Sequence, residues 1–558
     1  MKQRIHDLLK TTLEDCFERG ALMKAPLPAY VVEVPNNPDH GHFATNLPLT
    51  LASSQRRPPL EIASLLVDGL IDDENILESA EVAAPGFINF HIRPGEWHRI
   101  LADIIRLGQD YGRKREAGDG KVLVEFVSAN PTGPLHLGHG RGAALGDTLC
   151  RILSFCGYHV VREFYVNDAG EQIRLLGESV YSRFKQLQDP RHPFPEKGYH
   201  GDYIYDLART ISQETSINQL SEEEAVDLCA QKAREIMLNE IRQDLDRFRV
   251  AFDVWYSEDD IHASRALHRD LEVMTNKGLL YEHEGALWIR TSDFGDDKDR
   301  VLRKKNGQFT YFASDISYHL EKMKRGFARA INLWGADHHG YVPRMKAALS
   351  AQGLSEKWLT VLLIQLVKLW KGGREIKMSK RAGTYVTLKE LVDEVGVDAV
   401  RFVFLTKSHD STLDFDIDLV KKQDSDNPVY YVQYAHARIS SIFRKAEAEG
   451  IPFPDGFDGL LERLVLDEEM ELIRLMAGFP PLLEDMTRTL EPHRLTYYLT
   501  DLAASFHRYF NVGTKIPDHR IVTDHRETGQ ARLVLAEAVR TVIANGLSLL
   551  GIRAPEKM

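Results

Sequence analysis

Residues 121–142 read KVLVEFVSANPTGPLHLGHGRG, and the rest of the chain is organised around them. Positions 122–127 form a short apolar run suited to a buried parallel strand. Positions 128–134 break that pattern with Asn, Pro, Thr and Gly, which predicts a loop. His136, Leu137, Gly138 and His139 follow at the mouth of a helix whose apolar side is Leu145, Leu149, Ile152, Leu153 and Cys156. A strand, a turn and a helix N-terminus together favour an anion. The first N–H groups of the helix lack partners, and its dipole is positive there.

Two readings of this turn compete. Residues 138–143 fit G-x-G-x-x-A, the dinucleotide fingerprint of dehydrogenases, and Glu163 lies near the place of the ribose-binding acid. Such a site needs close backbone approach and has no use for two histidines. The arrangement P-x-G-x-L-H-x-G-H resembles instead the HIGH motif of class I aminoacyl-tRNA synthetases. In that class the two imidazoles contact ATP phosphates and stabilise charge that builds in the transition state.

A chain of 558 residues is more than one domain, and three or four are expected. The 43% hydrophobic and 27% charged composition is that of a soluble globular protein. Lys and Arg number 70 against 82 Asp and Glu, a net charge of −12. That argues against wholesale nucleic-acid binding and leaves room for a local basic surface. Cys16, Cys150, Cys156 and Cys229 have no C-x-x-C spacing, so neither a zinc site nor a disulfide frame is expected. Four reduced thiols fit the cytosol. The N-terminal stretch reads as an amphipathic helix without the apolar core of a signal peptide, and no apolar run reaches membrane-spanning length.

Residues 1–108 read as an α+β unit: a helix, a strand at 30–34, a turn-rich loop at 35–42, a helix at 60–70 and a strand at 82–92 around Pro85 and Gly86. It carries no constellation of catalytic type. A Gly/Lys/Glu-rich linker at 112–120 leads to strand–helix alternation, with a second strand at 159–166 and its exit loop at 166–170. Residues from about 178 to 300 read as a mainly helical insertion, including a polar helix at 221–248 and a hairpin at 279–289. Strand signals return at 329–333 and 360–367. From about 410 the chain turns helical, and Leu535, Val539, Val542, Ile543 and Leu547 stripe the last helix.

Three elements of the second half bear on chemistry. Residues 310–315 (TYFASD) open a helix, with Tyr311 and Asp315 on one face. Residues 335–340 (GADHHG) follow a strand; adjacent histidines seldom face one ion, so a pocket-lining loop is expected there and a metal site is not. Residues 365–381 (QLVKLWKGGREIKMSKR) carry six basic residues, Lys368, Lys371, Arg374, Lys377, Lys380 and Arg381, against Glu375.

KMSKR at 377–381 resembles the KMSKS loop of class I synthetases, with Arg381 in place of the last serine. HLGH and KMSKR stand in family order on either side of the insertion. Further stretches resemble arginyl-tRNA synthetases in particular: VEFVSANPTGPLHLGHGR, TYFASDISYHL, NLWGADHHGYVPRM, KMSKRAGTYVTL, NPVYYVQYAHARISS, and a C-terminus of GLSLLGIRAPEKM. PNNPDHGHFATN and APGFINF resemble the extra N-terminal domain of that family, which contacts the corner of the tRNA.

The resemblance implies a multidomain α/β protein. Residues 1–108 would be the N-terminal α+β tRNA-contacting domain. Residues 109–410 would be a Rossmann-type parallel-sheet catalytic domain with the insertion, and residues 411–558 a C-terminal all-α anticodon-binding bundle. The implied activity is ATP-dependent ligation of arginine to its tRNA through arginyl-adenylate. ATP would come with Mg2+ as the substrate complex, with no prosthetic group and no structural zinc. His136, His139, Lys377 and Lys380 would be catalytic. ATP would lie on His136, Gly138, His139, Met378, Ser379 and Lys380.

The arginine pocket would draw on Glu125, Ser128, Asn130, Tyr311, Asp315, Asp337 and His338, with Glu125 or Asp315 on the guanidinium. Glu125 is the lone charge inside an apolar strand, and a buried acid without a cation is costly. Tyr431 and Tyr434 would contact tRNA. The expected partners are the arginine tRNA, L-arginine and ATP, with no DNA, no membrane, a monomeric state and a cytoplasmic location. The family also generally needs bound tRNA before it activates its amino acid. The alternative is a catalytically silent synthetase-like RNA-binding protein.

Overall fold

The computed structural model describes residues 1–558 except 36, 116–119, 169, 215–216, 259–264 and 377–385. It divides into two compact units. One is Met1–Tyr111, Ser441–Phe479 and Ser505–Val542; the other is Gly112–Ser440, Pro480–Ala504 and Ile543–Met558.

In the first unit the helix Lys2–Glu18 buries Ile5, Leu8, Leu9, Leu13 and Cys16. Four strands, β1 (Val32–Glu33), β2 (Phe43–Thr45), β3 (Leu77–Ala83) and β4 (Phe87–Ile92), form an antiparallel sheet in the order β1-β2-β4-β3. The single strand expected at 82–92 is two strands of a hairpin. Pro85 and Gly86 sit at its turn, closed by a Gly86 N–H bond to the Ala83 carbonyl at 2.9 Å. Proline and glycine punctuate the strand pattern rather than continue it. In the same unit Glu469, fully buried, accepts from Arg532 Nε at 2.8 Å and from the Tyr509 hydroxyl at 3.0 Å.

The second unit carries β5 (Lys121–Glu125), β6 (His159–Val166), β7 (Val254–Ser257), β8 (Leu280–His283), β9 (Ala286–Ile289), β10 (Arg300–Arg303), β11 (Phe327–Gly335), β12 (Leu359–Ile364), β13 (Val367–Lys371), β14 (Arg374–Ile376) and β15 (Leu413–Asp416). Five of them form one parallel sheet in the order β12-β11-β5-β6-β7. This is the doubly wound arrangement. Chain direction across the sheet reverses between β5 and β11, so a ligand crevice belongs at their carboxyl ends.

The hairpin expected at 279–289 is present as β8 and β9, and the polar helix at 221–248 as Glu222–Arg247, capped by Ser221. The 178–300 stretch also supplies β7, the edge strand of the parallel sheet. Four half-buried residues with two aromatics give no alternating or continuous apolar signal, and sequence reading passes over them.

The C-terminal part is helical: Pro428–Ala448, Asp467–Ala477, Phe479–Thr489, His493–Lys515 and Arg526–Leu549. The stripe on the last of these, Leu535 to Leu547, is buried. Among the described residues no helix is long and apolar enough to cross a membrane.

Candidate active site

The helix Leu137–Phe155 starts at the carboxyl end of β5, and His136 is its N-cap. The His136 ring accepts at Nδ1 from the Gly138 and His139 N–H groups at 3.1 and 3.3 Å. His139 returns the favour: its Nδ1 accepts from the His136 N–H at 3.3 Å. The two rings stack, centroids 3.6 Å apart and 16° from parallel. A ring whose Nδ1 accepts must carry its hydrogen on Nε2. The cap therefore fixes the tautomer of both histidines and makes Nε2–H the donor of each. A Cβ on Gly138 would stand 3.0 Å from the His136 ring, so glycine there lets the ring fold back over the helix start.

Deeper in the same helix, Gly146 lies against Phe126, where a Cβ would fall 2.3 Å from the ring. Arg141, fully buried, donates to the carbonyls of Gln365, Ser411 and Ser408, each at 2.8 Å. Arg401, also fully buried, reaches Asp147 at 2.5 Å and the Leu550 and Phe248 carbonyls at 2.8 and 3.0 Å. Two buried guanidiniums thus fasten the histidine-bearing helix to the end of β12, to the 408–411 loop and to the C-terminal tail.

Across the crevice, β5 ends in Glu125. Val127 and Ser128 follow with φ of +67° and +39°, left-handed values that cost side-chain-bearing residues about 1–3 kcal/mol each. This kink turns the Ser128 hydroxyl back, so that it donates to Glu125 Oε1 at 3.1 Å and accepts from the Tyr165 N–H at 3.1 Å. The other oxygen of Glu125 meets Lys322 Nζ at 2.5 Å. The cation that Glu125 lacks in its own strand therefore comes from the helix Tyr311–Lys324. Lys322 also donates to Asn332 Oδ1 at 3.2 Å. Asn332 Nδ2 donates to His319 Nε2 at 3.0 Å, and His319 Nδ1 donates to the Asp315 carbonyl at 2.7 Å. Burial, with Lys322 nearby, pulls His319 down to about 3, so it stays neutral.

The Asp315 carboxylate accepts the Tyr341 hydroxyl. Burial pushes Asp315 up to about 6, against the hydrogen bond from Tyr341. Tyr311, one turn earlier on the same helix as expected, is 67% exposed. Asp337 and His338 are exposed on the turn Ala336–Tyr341. Asn130 donates to Gln172 at 2.6 Å. Tyr341, Lys322, His319 and Asn332 escaped sequence reading. The one available signal was the spacing of Asp315, His319 and Lys322 along a single helix face.

Glu163, the acid of the dinucleotide reading, is fully buried. It takes Arg325 at 2.5 and 3.0 Å and the Tyr318 hydroxyl at 2.6 Å. Its oxygens are committed to these groups.

Lys377, Met378, Ser379 and Lys380 lie outside the described residues. The chain enters that stretch from β14; beyond it Thr387 bridges to His136, and the Leu388 N–H bonds the Leu135 carbonyl at 2.8 Å. The chain at 387–388 is thereby tied to the start of the histidine-bearing helix. On the helix Pro428–Ala448, Tyr434 is half-exposed, stacked on Tyr430 with centroids 5.8 Å apart, and Arg438 stands 4.6 Å over its ring. Tyr431 is half-buried. Among the described residues no group of three or more His, Cys, Asp or Glu is placed to hold a metal ion, and all four cysteines are free and buried.

A parallel sheet whose order reverses at β5 and an HLGH cap at its carboxyl end, in a chain that also carries KMSKR at 377–381, define a class I aminoacyl-tRNA synthetase. The family model described as the class I (R) tRNA synthetase catalytic domain matches residues 101–431. The arginyl tRNA synthetase N-terminal domain matches 3–92, and the DALR anticodon-binding domain matches 432–558. Arginine–tRNA ligases of Desulfosudis oleivorans and Syntrophotalea carbinolica are 48% and 45% identical to it, with all of each chain covered. The solved arginyl-tRNA synthetase of Thermus thermophilus has the same fold, with a TM-score of 0.79 at 24% identity over all of both chains. The chain belongs to the arginyl-tRNA synthetase family, and its activity is that of an ATP-dependent arginine–tRNA ligase. The dehydrogenase and silent-protein readings fall with that assignment.

Proposed function

We propose that Asp315 binds the guanidinium of arginine and that Glu125, with Ser128 and Asn130, binds the amino-acid end. The observation that carries this is the contrast between the two acids. Glu125 already has a cation in Lys322, whereas the Asp315 carboxylate takes, among the described residues, the neutral Tyr341 hydroxyl, and burial pushes it up to about 6. A guanidinium is a permanent cation with a fork of donors suited to a carboxylate. Glu125 also lies on the strand leading to His136, where the reacting carboxylate must arrive. Tyr311, Asp337 and His338 close the pocket from the solvent side.

The arginine carboxylate attacks the α-phosphate of ATP in line, and pyrophosphate leaves. The terminal adenosine of the tRNA, through its 2′-hydroxyl, then attacks the mixed anhydride. No enzyme nucleophile is needed; positioning and electrostatics carry the reaction. His136 and His139 offer Nε2–H to the phosphates beside Gly138, and Met378 and Ser379 flank the ATP. Lys377 and Lys380 neutralise the leaving pyrophosphate. Mg2+ enters with ATP as its substrate complex. Residues 1–108 touch the tRNA, 109–410 perform the chemistry, and 411–558 bind the anticodon, with Tyr431 and Tyr434 stacking on its bases. The enzyme works as a cytoplasmic monomer.

The test is Asp315→Asn, with the arginine and ATP constants measured separately. The arginine constant should rise at least about tenfold, the worth of a hydrogen bond to a charged group, while the ATP constant stays near its original value. Equal rises in both, or none, would pass the guanidinium to Glu125.

A further inference from the structure

Asp315, His319 and Lys322 share one face of the helix Tyr311–Lys324, at spacings of four and seven. Lys322 is fully buried. Its ammonium lies 2.5 Å from Glu125 Oε2, 3.2 Å from Asn332 Oδ1 and 4.2 Å over the Tyr318 ring. Two carboxylates in one pocket repel, and one of them is driven to hold a proton. Glu125 and Asp315 are such a pair. Lys322 bonds the first directly and stands two turns along the helix from the second.

We infer that Lys322 is a positioning residue of the arginine pocket: the fixed internal cation that allows Glu125 and Asp315 to stand there together as carboxylates. The inference rests on the reading of those two acids as arginine ligands. Lys322 acts through them and lies out of solvent.

The groups around Asp315 come from several elements. Tyr341 faces it from the turn after β11, Glu125 from β5, Tyr165 from β6 and Lys322 from its own helix. Glu258, after β7, faces Tyr165. Burial is the largest influence raising Asp315, and Glu125 adds to it; Tyr341 and Lys322 oppose. Arginine selects the ionised carboxylate, so its use falls as pH drops through the Asp315 titration. Removing Lys322 removes one of the two opposing groups, and that acid limb must move up.

The experiment is the pH profile of kcat/KM for arginine in tRNA charging, for Lys322→Met and Lys322→Gln, with the ATP constant measured alongside. The acid limb should move up by about one pH unit, so the arginine constant should rise about tenfold near pH 5 and about twofold near pH 7. The ATP constant should stay within about twofold. Adding Glu125→Gln to Lys322→Met removes the repelling charge and should bring the limb back toward the unmodified enzyme. If Lys322→Met does not fold, Lys322→Gln, neutral but polar, gives the same readout. An unmoved limb, with Asp315→Asn still raising the arginine constant, overturns the role of Lys322 and leaves the pocket reading standing. An arginine constant untouched by Asp315→Asn overturns the pocket reading, and the role of Lys322 with it.

Discussion

The hydroxyl of Tyr341 donates to the carboxylate of Asp315, across 26 residues of chain. It holds the carboxylate in place and opposes the upward push of burial on its titration. Tyr341→Phe should therefore weaken arginine use about tenfold or more, the worth of a hydrogen bond to a charged group. The loss should be larger at pH 6.5 than at pH 8. Tyr311→Phe should change the arginine constant by less than about twofold. Steady-state arginine constants at the two pH values check both.

Because Asp315 sits near 6, arginine binding should be linked to protons. A cation selects the carboxylate, so near pH 6 binding releases protons, and the release fades toward pH 8. Calorimetry in two buffers of different ionisation enthalpy reads this directly. Asp315→Asn should abolish the buffer dependence along with most of the affinity.

His136 caps its helix through Nδ1 and is assigned to phosphate through Nε2. The two functions can be separated. His136→Asn keeps a good cap and loses the phosphate donor, so stability should hold while ATP–pyrophosphate exchange in the presence of tRNA falls about 10²–10³. His136→Ala should lose the same rate and about 1 kcal/mol of stability besides. A common Tm drop for both variants would mean that the ring's packing matters more than its cap.

Replacing Tyr431 and Tyr434 together by alanine should raise the apparent tRNA constant, since stacking a base is worth roughly 1–3 kcal/mol. The arginine constant should barely move. Tyr434 already stacks on Tyr430 beneath Arg438, so its ring is held in place before RNA arrives. A variant that unfolds would show instead that these rings serve the core.

Two histidines, His319 buried and His42 half-buried, set an acid limit on stability. Burial, then Arg474 and His91, pulls His42 down to about 4; burial and Lys322 pull His319 down to about 3. Both start from 6.5, so the unfolded chain takes up these protons first. Their contribution is complete above about pH 6.5 and is lost as pH falls through 6.5 toward 4 and 3, at up to about 1.4 kcal/mol per pH unit for each. Tm measured from pH 7.5 to 4.5 should fall below 6.5, and His42→Asn should flatten part of that fall.

The sequence by itself determined the class, the family and the order of the parts. HLGH and KMSKR are contiguous runs, β6 spans the expected 159–166, and the helix opening at Thr310 and the hairpin at 279–289 stand where expected. Each of these is signalled by residues within a few positions of one another, the range over which strand and helix periodicities act. What only the tertiary structure decided is who faces whom. Lys322 answers Glu125 across 197 residues, and the Tyr341 hydroxyl reaches Asp315 across 26. The same-face rule of a helix says which side chains point together, but not what the sheet and the next turn bring opposite them. The edge strand β7 was hidden for a related reason: four half-buried residues become a strand by pairing with β6, and nothing in their own pattern announces it.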